Sequence, residues 1–505
     1  MKRASDRDRG SASGVAWAGA GTLLLYLLFY YVPISTRHTV ESFRLRPLGE
    51  WRIDSPGGLA LFYALIIAGL FALYGLAFRK VRDAEAGERS RLRPIAYVVT
   101  GAAILILVFL PSLLTKDVFD YMVHGRILAL HRANPYQVPA SAFGIDEFYR
   151  AMGWPQYTAI YGPGWLSACA VISWLAPGSV AGSLVVYKLI FGGVHLATGL
   201  VIGALLRGWG RPSLAGELLF LWNPLVVTQA VAQAHNDGFV LLWALLGLLL
   251  IQRRASVRSF YDESLGVVCL CLSILVKYVT GPLLLFVLAA RMRERGGLAG
   301  VARAAGLAAV GALVGLVGYL PYMQGIDFFS FLRPYSHGSY QGSSLMILHM
   351  ILQKIVGEGG AAGERVADIM LSTGSGLALL TVLFVIVLAF RTRTEKDVPR
   401  HGLYLMLAYL LVVTALLRVS YGIWVVPLAV LVMPGFARGA ALVFSASLMS
   451  LDVFWVYAIR SMESGVSLHR EQAVATLVAV LAPISYLLAG VLHRRARAGR
   501  QGGEG

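Results

Sequence analysis

The chain has 505 residues, a formal charge of +17, 57% hydrophobic residues and only 14% charged ones. With a mean hydropathy of +0.68 and a charged fraction well below the roughly one quarter usual in soluble domains, an ordinary soluble enzyme is excluded. The positive charge is no nucleic-acid footprint either: Arg and Lys gather in the N-terminal tail, at 79–93, 253–258, 291–303 and 391–400, and in the C-terminal tail, always beside apolar runs. That placement is what cytoplasmic loops of a membrane protein show, where basic residues also meet anionic lipid head groups.

In chain order, apolar runs fall near 15–34, 57–78, 94–114, 164–177, 181–206, 213–234, 236–252, 264–290, 297–322, 366–390, 402–416, 422–437, 438–458 and 472–492. A span needs roughly 20 apolar residues. The pattern predicts a single all-α, polytopic membrane domain over 1–505, with about 12–14 transmembrane helices. Lys2 and Arg3 precede a run long for a signal peptide, without a small-x-small cleavage site, so 15–34 reads as a signal anchor.

Loop basicity predicts cytoplasmic N- and C-termini. Runs 15–34, 57–78 and 94–114 then place the polar segment 115–163 outside the cytoplasm. Between 163 and 253 the crossings close only if 164–177 is re-entrant or if Asn223-Pro224 splits 213–234, since proline removes a donor and clashes with the preceding turn. Either solution puts His235-Asn236-Asp237 on the same outer side as 115–163. Run 264–290 lies between two basic loops and reads as an out-and-back hairpin with Lys277-Tyr278 at its tip. A second outer loop, 323–345, carries Asp327, Arg333, Tyr335 and His337.

Cys169, Cys269 and Cys271 lie in apolar runs and give neither a metal spacing nor a disulfide framework. No Walker A, His-Glu-x-x-His or dinucleotide glycine motif appears, and no internal repeat stands out. Chemistry therefore concentrates at 115–163. This segment holds Asp117-Val118-Phe119-Asp120-Tyr121, His124-Gly125-Arg126, Asn134-Pro135-Tyr136 and Tyr161-Gly162-Pro163. Charge gathered beside a bilayer is a functional signal by default. Asparagine occurs only at 134, 223 and 236, each time inside such a motif.

These motifs resemble the first extracytoplasmic loop of GT-C glycosyltransferases. The likeness is greatest to bacterial mannosyltransferases that use polyprenyl-phosphate-mannose and to glycosyltransferase family 87 proteins. Trp222-Asn223-Pro224 followed by His235-Asn236-Asp237, and Leu275-Val276-Lys277 near the end of a short helix, are similar to that group too. Ser420-Tyr421-Gly422-Ile423-Trp424 resembles the family's aromatic-rich turn but lacks its His-Pro. Lys116 stands where the family often has a first of two adjacent acids, which favours Asp117 over an adjacent-acid metal site. The resemblance covers about 15–440. It implies a GT-C-like fold and transfer of a hexose, mannose by likeness, from a polyprenyl-phosphate donor to a lipid-linked or glycan acceptor outside the cytoplasm.

Elementary chemistry assigns the parts. Nucleotide sugars are absent outside the cytoplasm, so the donor must be carried on a lipid. A carboxylate must deprotonate the acceptor hydroxyl; Asp117 is the expected base and Asp120, three residues on, the reserve. Cationic groups must meet the departing phosphate; Lys277 is the first candidate, with Arg333 and Arg126 after it, although Arg126 serves equally to tie the loop and Lys277 could simply snorkel. Asn236 and Asp237 suit sugar hydroxyls, with His235 beside them. Tyr136, Trp154, Tyr157 and Tyr161 could stack on sugar rings or form an interfacial belt. No cofactor is called for, no metal ligands are assigned, and a divalent metal stays open. The alternatives are a lipid or glycan transporter without transferase activity, whose folds also use broken helices, and a GT-C enzyme acting on protein hydroxyls.

Overall fold

The computed structural model describes residues 2–31, 53–109, 114–144, 146–176, 178–252, 259–323, 340–461 and 468–501. Among these the chain is helical throughout, with one isolated bridge between Gln341 and Leu416. Eight helices are long and apolar enough to cross a membrane, or nine if the bent pair Ser213–Leu221 and Pro224–Ala232 counts as one span. The all-α, polytopic architecture is as expected, and the count of long spans is lower than the expected 12–14 for a specific reason. Runs 164–177 and 236–252 fold as Pro163–Leu175 and Asp237–Ile251, of 13 and 15 residues, short of the roughly 20 a span requires. Run 264–290 breaks at Lys277 into Phe260–Val276 and Gly281–Arg295. The second outer loop lies outside the described residues over 324–339, and with it Asp327, Arg333, Tyr335 and His337.

Side chains divide between an inner core and an outer apolar coat. Helices Gly297–Tyr322 and Gly360–Arg391 are barely covered by protein and turn Leu313, Leu316, Leu379 and Leu380 outward. In water such faces would be a liability; against lipid they lie in their own solvent.

The polar segment is docked structure. Helix Asp117–Ala129 buries Val118, Tyr121, Met122 and Ile127 in a core shared with Trp165, Phe191 and Val276. It lies against Pro163–Leu175 at a distance only glycine permits: a Cβ on Gly125 would stand 2.3 Å from the Cys169 carbonyl oxygen and 2.4 Å from Ser173 Oγ. That is the physical content of the Gly125-Arg126 motif.

The Trp222-Asn223-Pro224 motif builds a corner. Trp222 Nε1 donates to Ala96 O and Thr100 Oγ1, both at 3.1 Å. Asn223 Oδ1 caps Val226 N at 3.2 Å, while its Nδ2 donates to Ser445 Oγ at 3.2 Å. Pro224 opens the next piece at the first-turn position, where its missing N–H costs nothing. The chain bends by 48° there, so the expected split at Asn223-Pro224 is present. The continuation is π-helical over Val227–Ala232, a rare geometry frequent at functional sites. The turn beyond it passes through Ala234, a buried alanine with φ of 53°. Such a left-handed non-glycine residue persists only where its surroundings hold it. Directly after it come His235, Asn236 and Asp237.

Candidate functional site

Four separate stretches of sequence meet at one place. Asp117 comes from the first turn of its helix, where the helix dipole favours a carboxylate. His235, Asn236 and Asp237 come from the turn after the π-helical segment. Lys277 caps Phe260–Val276, and Tyr421 and Trp424 open the apolar helix around Gly422–Leu431.

His235 Nδ1 stands 3.3 Å from Asp117 Oδ2. Burial alone would push the Asp117 carboxyl up, but the His235 hydrogen bond and charge, the Thr115 hydroxyl and the Lys277 ammonium together bring it down to about 2. Asp117 is therefore ionised and partly open, with an imidazole on one oxygen.

Lys277 Nζ donates to Asp237 Oδ1 at 2.7 Å, and Trp424 Nε1 donates to the same oxygen at 2.6 Å. The ammonium lies 5.4 Å from the ring centroids of both Tyr421 and Trp424, which stack at 4.3 Å. Burial pulls the Lys277 pKa down, and Asp237 raises it to a net upward shift. The ammonium is thus held by a carboxylate and two stacked aromatic rings, with its side chain about a quarter exposed. Next to it, Asn236 is 0% exposed, and neither side-chain atom of its amide has a hydrogen-bond partner; Asp237 Oδ2 has none either. Buried polar atoms left unmatched are costly, and here they border the two charged pairs. The backbone N–H of Asn236 donates to Tyr121 Oη at 3.5 Å, and Tyr121 packs edge-on against Tyr161 at 5.0 Å.

The other residues expected from sequence make other contacts. Asp120 is buried, accepts the Gly153 N–H at 2.9 Å and ties its helix to the following loop. Burial, with Asp117 adding to it, raises its carboxyl to about 7 against the pull of the Gly153 and Trp154 N–H groups. Arg126 lies over the Phe148 ring at 3.9 Å and 3.6 Å from Asp146. It lines a separate small cavity of about 100 Å³ with His131 and Phe143, so it braces the loop and is not brought to Asp117. Tyr136 donates through its hydroxyl to the Tyr161 carbonyl at 2.5 Å and packs edge-on against Tyr322. It supports Tyr161 from behind. Trp154 and Tyr157 are about half exposed or more. Arg333 falls outside the described residues. Among the described residues no group of three or more His, Cys, Asp or Glu side chains could hold a metal ion.

Tyr421 and Trp424 entered the sequence reading only as an aromatic turn. Their contacts with Lys277 and Asp237 join residues far apart in the chain, 187 positions for Trp424 and Asp237, and leave no local pattern. The Tyr161-Gly162-Pro163 motif, by contrast, now has a reason. Gly162 N–H donates to Val276 O at 3.3 Å, and a Cβ on Gly162 would lie 2.1 Å from Leu275 O. Only glycine lets the loop approach the residues that carry Lys277. Overpacking typically costs about 1–3 kcal/mol. Gly162→Ala is therefore expected to lower stability by a similar amount. Thermal unfolding of purified protein in detergent checks this, and an unchanged melting temperature would show the approach to be dispensable.

Carboxylate, imidazole, ammonium and unpaired amide, set together among membrane helices, define a polytopic membrane protein with the parts of a group-transfer site. Residues 16–293, more than half the chain, match the family described as alpha-(1->6)-mannopyranosyltransferase, N-terminal domain, and the chain belongs to that glycosyltransferase family. The resemblance read from the loop motifs is thereby borne out. A Mycolicibacterium smegmatis protein named "Probable alpha-(1->6)-mannopyranosyltransferase" is 28% identical over 166 residues, covering 30% of this chain and 27% of the relative. Alpha-(1->6)-mannopyranosyltransferase B of Corynebacterium glutamicum is 24% identical over 212 residues, 39% of this chain and 35% of the relative. These matches thus span about a quarter to a third of the relatives' lengths. No solved structure matches the chain.

Proposed function

We propose that this protein is a mannosyltransferase that moves mannose from a polyprenyl-phosphate carrier to a hydroxyl of a lipid-linked or glycan acceptor, on the outer face of the membrane. The α-(1→6) linkage named for its relatives is the linkage expected of the product. The observation that carries this reading is Asp117, paired with His235, in the same site as Lys277, which is held by Asp237.

In this reading the acceptor oxygen attacks the anomeric carbon, and the bond from that carbon to the phosphate oxygen breaks. The acceptor proton passes to Asp117, acting as general base. The electron pair leaves on the phosphate, whose added charge the Lys277 ammonium stabilises in a site of low dielectric. Asn236 and Asp237 supply unmatched donor and acceptor atoms for sugar hydroxyls, and Tyr161 walls the site. Incubating purified, reconstituted protein with labelled polyprenyl-phosphate-mannose and candidate acceptors tests the reading. A mannosylated product linked α-(1→6) supports it; transport of the lipid with no product would place the protein among transporters.

The outer location rests on loop basicity and has its own test. Ser141 and Ala86 are exposed, one in the polar segment and one in a basic loop, and the native Cys169, Cys269 and Cys271 are buried. In intact cells, Ser141→Cys is expected to react with an impermeant thiol reagent and Ala86→Cys to stay unlabelled until the membrane is opened. The reverse pattern would overturn the orientation and the need for a lipid-borne donor.

A further inference from the structure

The helix Ser450–Ser461 carries a carboxylate, Asp452, that is 5% exposed inside a candidate membrane span. A carboxylate at membrane depth is expensive and is normally kept for a reason. Its partner is Gln229, whose Nε2 donates to Asp452 Oδ2 at 2.7 Å. Gln229 is 3% exposed and sits in the π-helical segment Val227–Ala232. The same residue's carbonyl oxygen accepts the His235 N–H at 3.1 Å. One residue thus links a buried carboxylate on the far helix to the backbone of the histidine that pairs with Asp117.

We infer that Asp452 is a positioning residue: through Gln229 it fixes the π-helical segment and so holds His235 against Asp117. The proposal rests on the reading of Asp117 as base. It reaches beyond that reading because Asp452 lies outside residues 16–293, the stretch matched by the family, and touches no part of the site.

The local geometry needs such a hold. The chain passes from the π-helical segment through Ala234 at φ of 53° into His235, a conformation an alanine leaves unless it is restrained. On the other side, Gln233 Oε1 accepts the Leu114 N–H at 3.3 Å, which ties the turn to the entry of the Asp117 helix. With the Gln229 anchor removed, the π-helical segment can relax toward ordinary α-helical hydrogen bonding, and a one-residue change of phase there redirects His235.

The readout is the state of Asp117. Facing this carboxylate are Asp120 and Tyr121 from its own helix, Tyr161 from the segment before Pro163–Leu175, His235 from the turn, and Lys277 from the end of Phe260–Val276. His235 is the largest influence holding it down. Loss of His235 alignment lets burial act, so the pKa of Asp117 rises. Protonation of Asp117, which in the wild type lies below the working pH range, then rises into it and adds an acidic limb at higher pH.

The test compares full-length variants in reconstituted transfer from labelled polyprenyl-phosphate-mannose, with thermal stability measured in parallel. Asp452→Leu is expected to lower kcat on the order of tenfold to a hundredfold with donor KM nearly unchanged, and to add that acidic limb, as His235→Gln does. Asp452→Asn keeps a side-chain oxygen for Gln229 and is expected to lose much less. Gln229→Glu alone sets two acids together and lowers kcat; adding Asp452→Asn restores the hydrogen bond with its roles exchanged and is expected to recover turnover. If Asp452→Leu loses stability but keeps wild-type kcat and the wild-type pH profile, its role is structural and the inference is wrong. If Asp452→Leu fails to fold, the exchanged pair decides, and no recovery over Gln229→Glu overturns the inference. Asp117→Asn, run alongside, separates the two readings. Full activity in that variant refutes the base, whereas an inactive Asp117→Asn with an indifferent Asp452→Leu refutes the positioning role alone.

Discussion

Asp117→Asn is expected to abolish detectable mannosyl transfer while leaving expression and donor binding close to wild type. The amide is nearly isosteric with the carboxylate and can still accept from His235, but it cannot take the acceptor's proton. Loss of a general base typically costs on the order of 10²–10⁴ in rate. Turnover of purified protein, with binding of labelled donor lipid measured separately, distinguishes lost chemistry from a lost site. Asp120→Asn is the matched control. Asp120 accepts the Gly153 N–H, and asparagine keeps an oxygen for that bond. Most of the turnover is expected to remain. Activity lost at Asp120 and kept at Asp117 would transfer the base assignment to Asp120. Activity kept in both would end the carboxylate mechanism in this segment.

The pH behaviour follows from the same pair. Asp117 is held at about 2, below the roughly 3.9 of an unstructured aspartate. Its contribution to stability is therefore fully present above the unfolded value and is lost as pH falls through the folded one. Any acidic decline in turnover between pH 6 and 4 must then come from another group; in His235→Gln, a decline traceable to Asp117 should appear in that window.

How much of this was legible in the sequence depends on distance along the chain. The helical, membrane-spanning character is written in composition and run length, which are local. So is the break at Asn223-Pro224, because proline punctuates backbone whatever surrounds it. The number of long spans was not legible. A run such as 236–252 looks like a span by hydropathy, yet its helix, Asp237–Ile251, begins only after the turn at Ala234 and has 15 residues. Asp117, His235, Asn236, Asp237 and Lys277 were found because polar residues are scarce in this chain and each stands out singly. Arg126 and Tyr136 stood out in the same way but face the loop's own interior, where polarity serves bracing. Trp424 and Tyr421 were passed over because aromatics are common at membrane depth; only their stacking on a lysine far away in sequence marks them. Asp452 carried a signal that could have been read, an acid inside the run 438–458, but nothing local names Gln229 as its partner.

The pairing of Lys277 with Asp237 changes how the lysine has to be tested. Lys277→Gln removes the charge proposed to meet the donor phosphate, and it also strands Asp237, which is 0% exposed, as an uncompensated carboxylate. Breaking one side of a buried pair costs stability, up to about 3–5 kcal/mol when both partners are fully buried, so Lys277→Gln is expected to lower thermal stability whichever role the lysine has, and loss of activity in it alone does not assign that role. Lys277→Arg keeps the charge over Tyr421 and Trp424 but replaces a point donor by a wider planar fork, and it is expected to retain a measurable fraction of activity. The decisive protein carries Lys277→Gln together with Asp237→Asn. In it no charge is stranded, the Gln–Asn contact and the Trp424 N–H bond can persist, and the fold is relieved of the electrostatic penalty. If Lys277 only neutralises Asp237, this double variant recovers stability and donor affinity together. If Lys277 meets the phosphate, stability recovers while binding of labelled polyprenyl-phosphate-mannose and the transfer rate stay low. Thermal unfolding in detergent and donor binding, measured on the four proteins of this cycle, separate the two outcomes, and recovery of donor affinity in the double variant would remove Lys277 from the reaction.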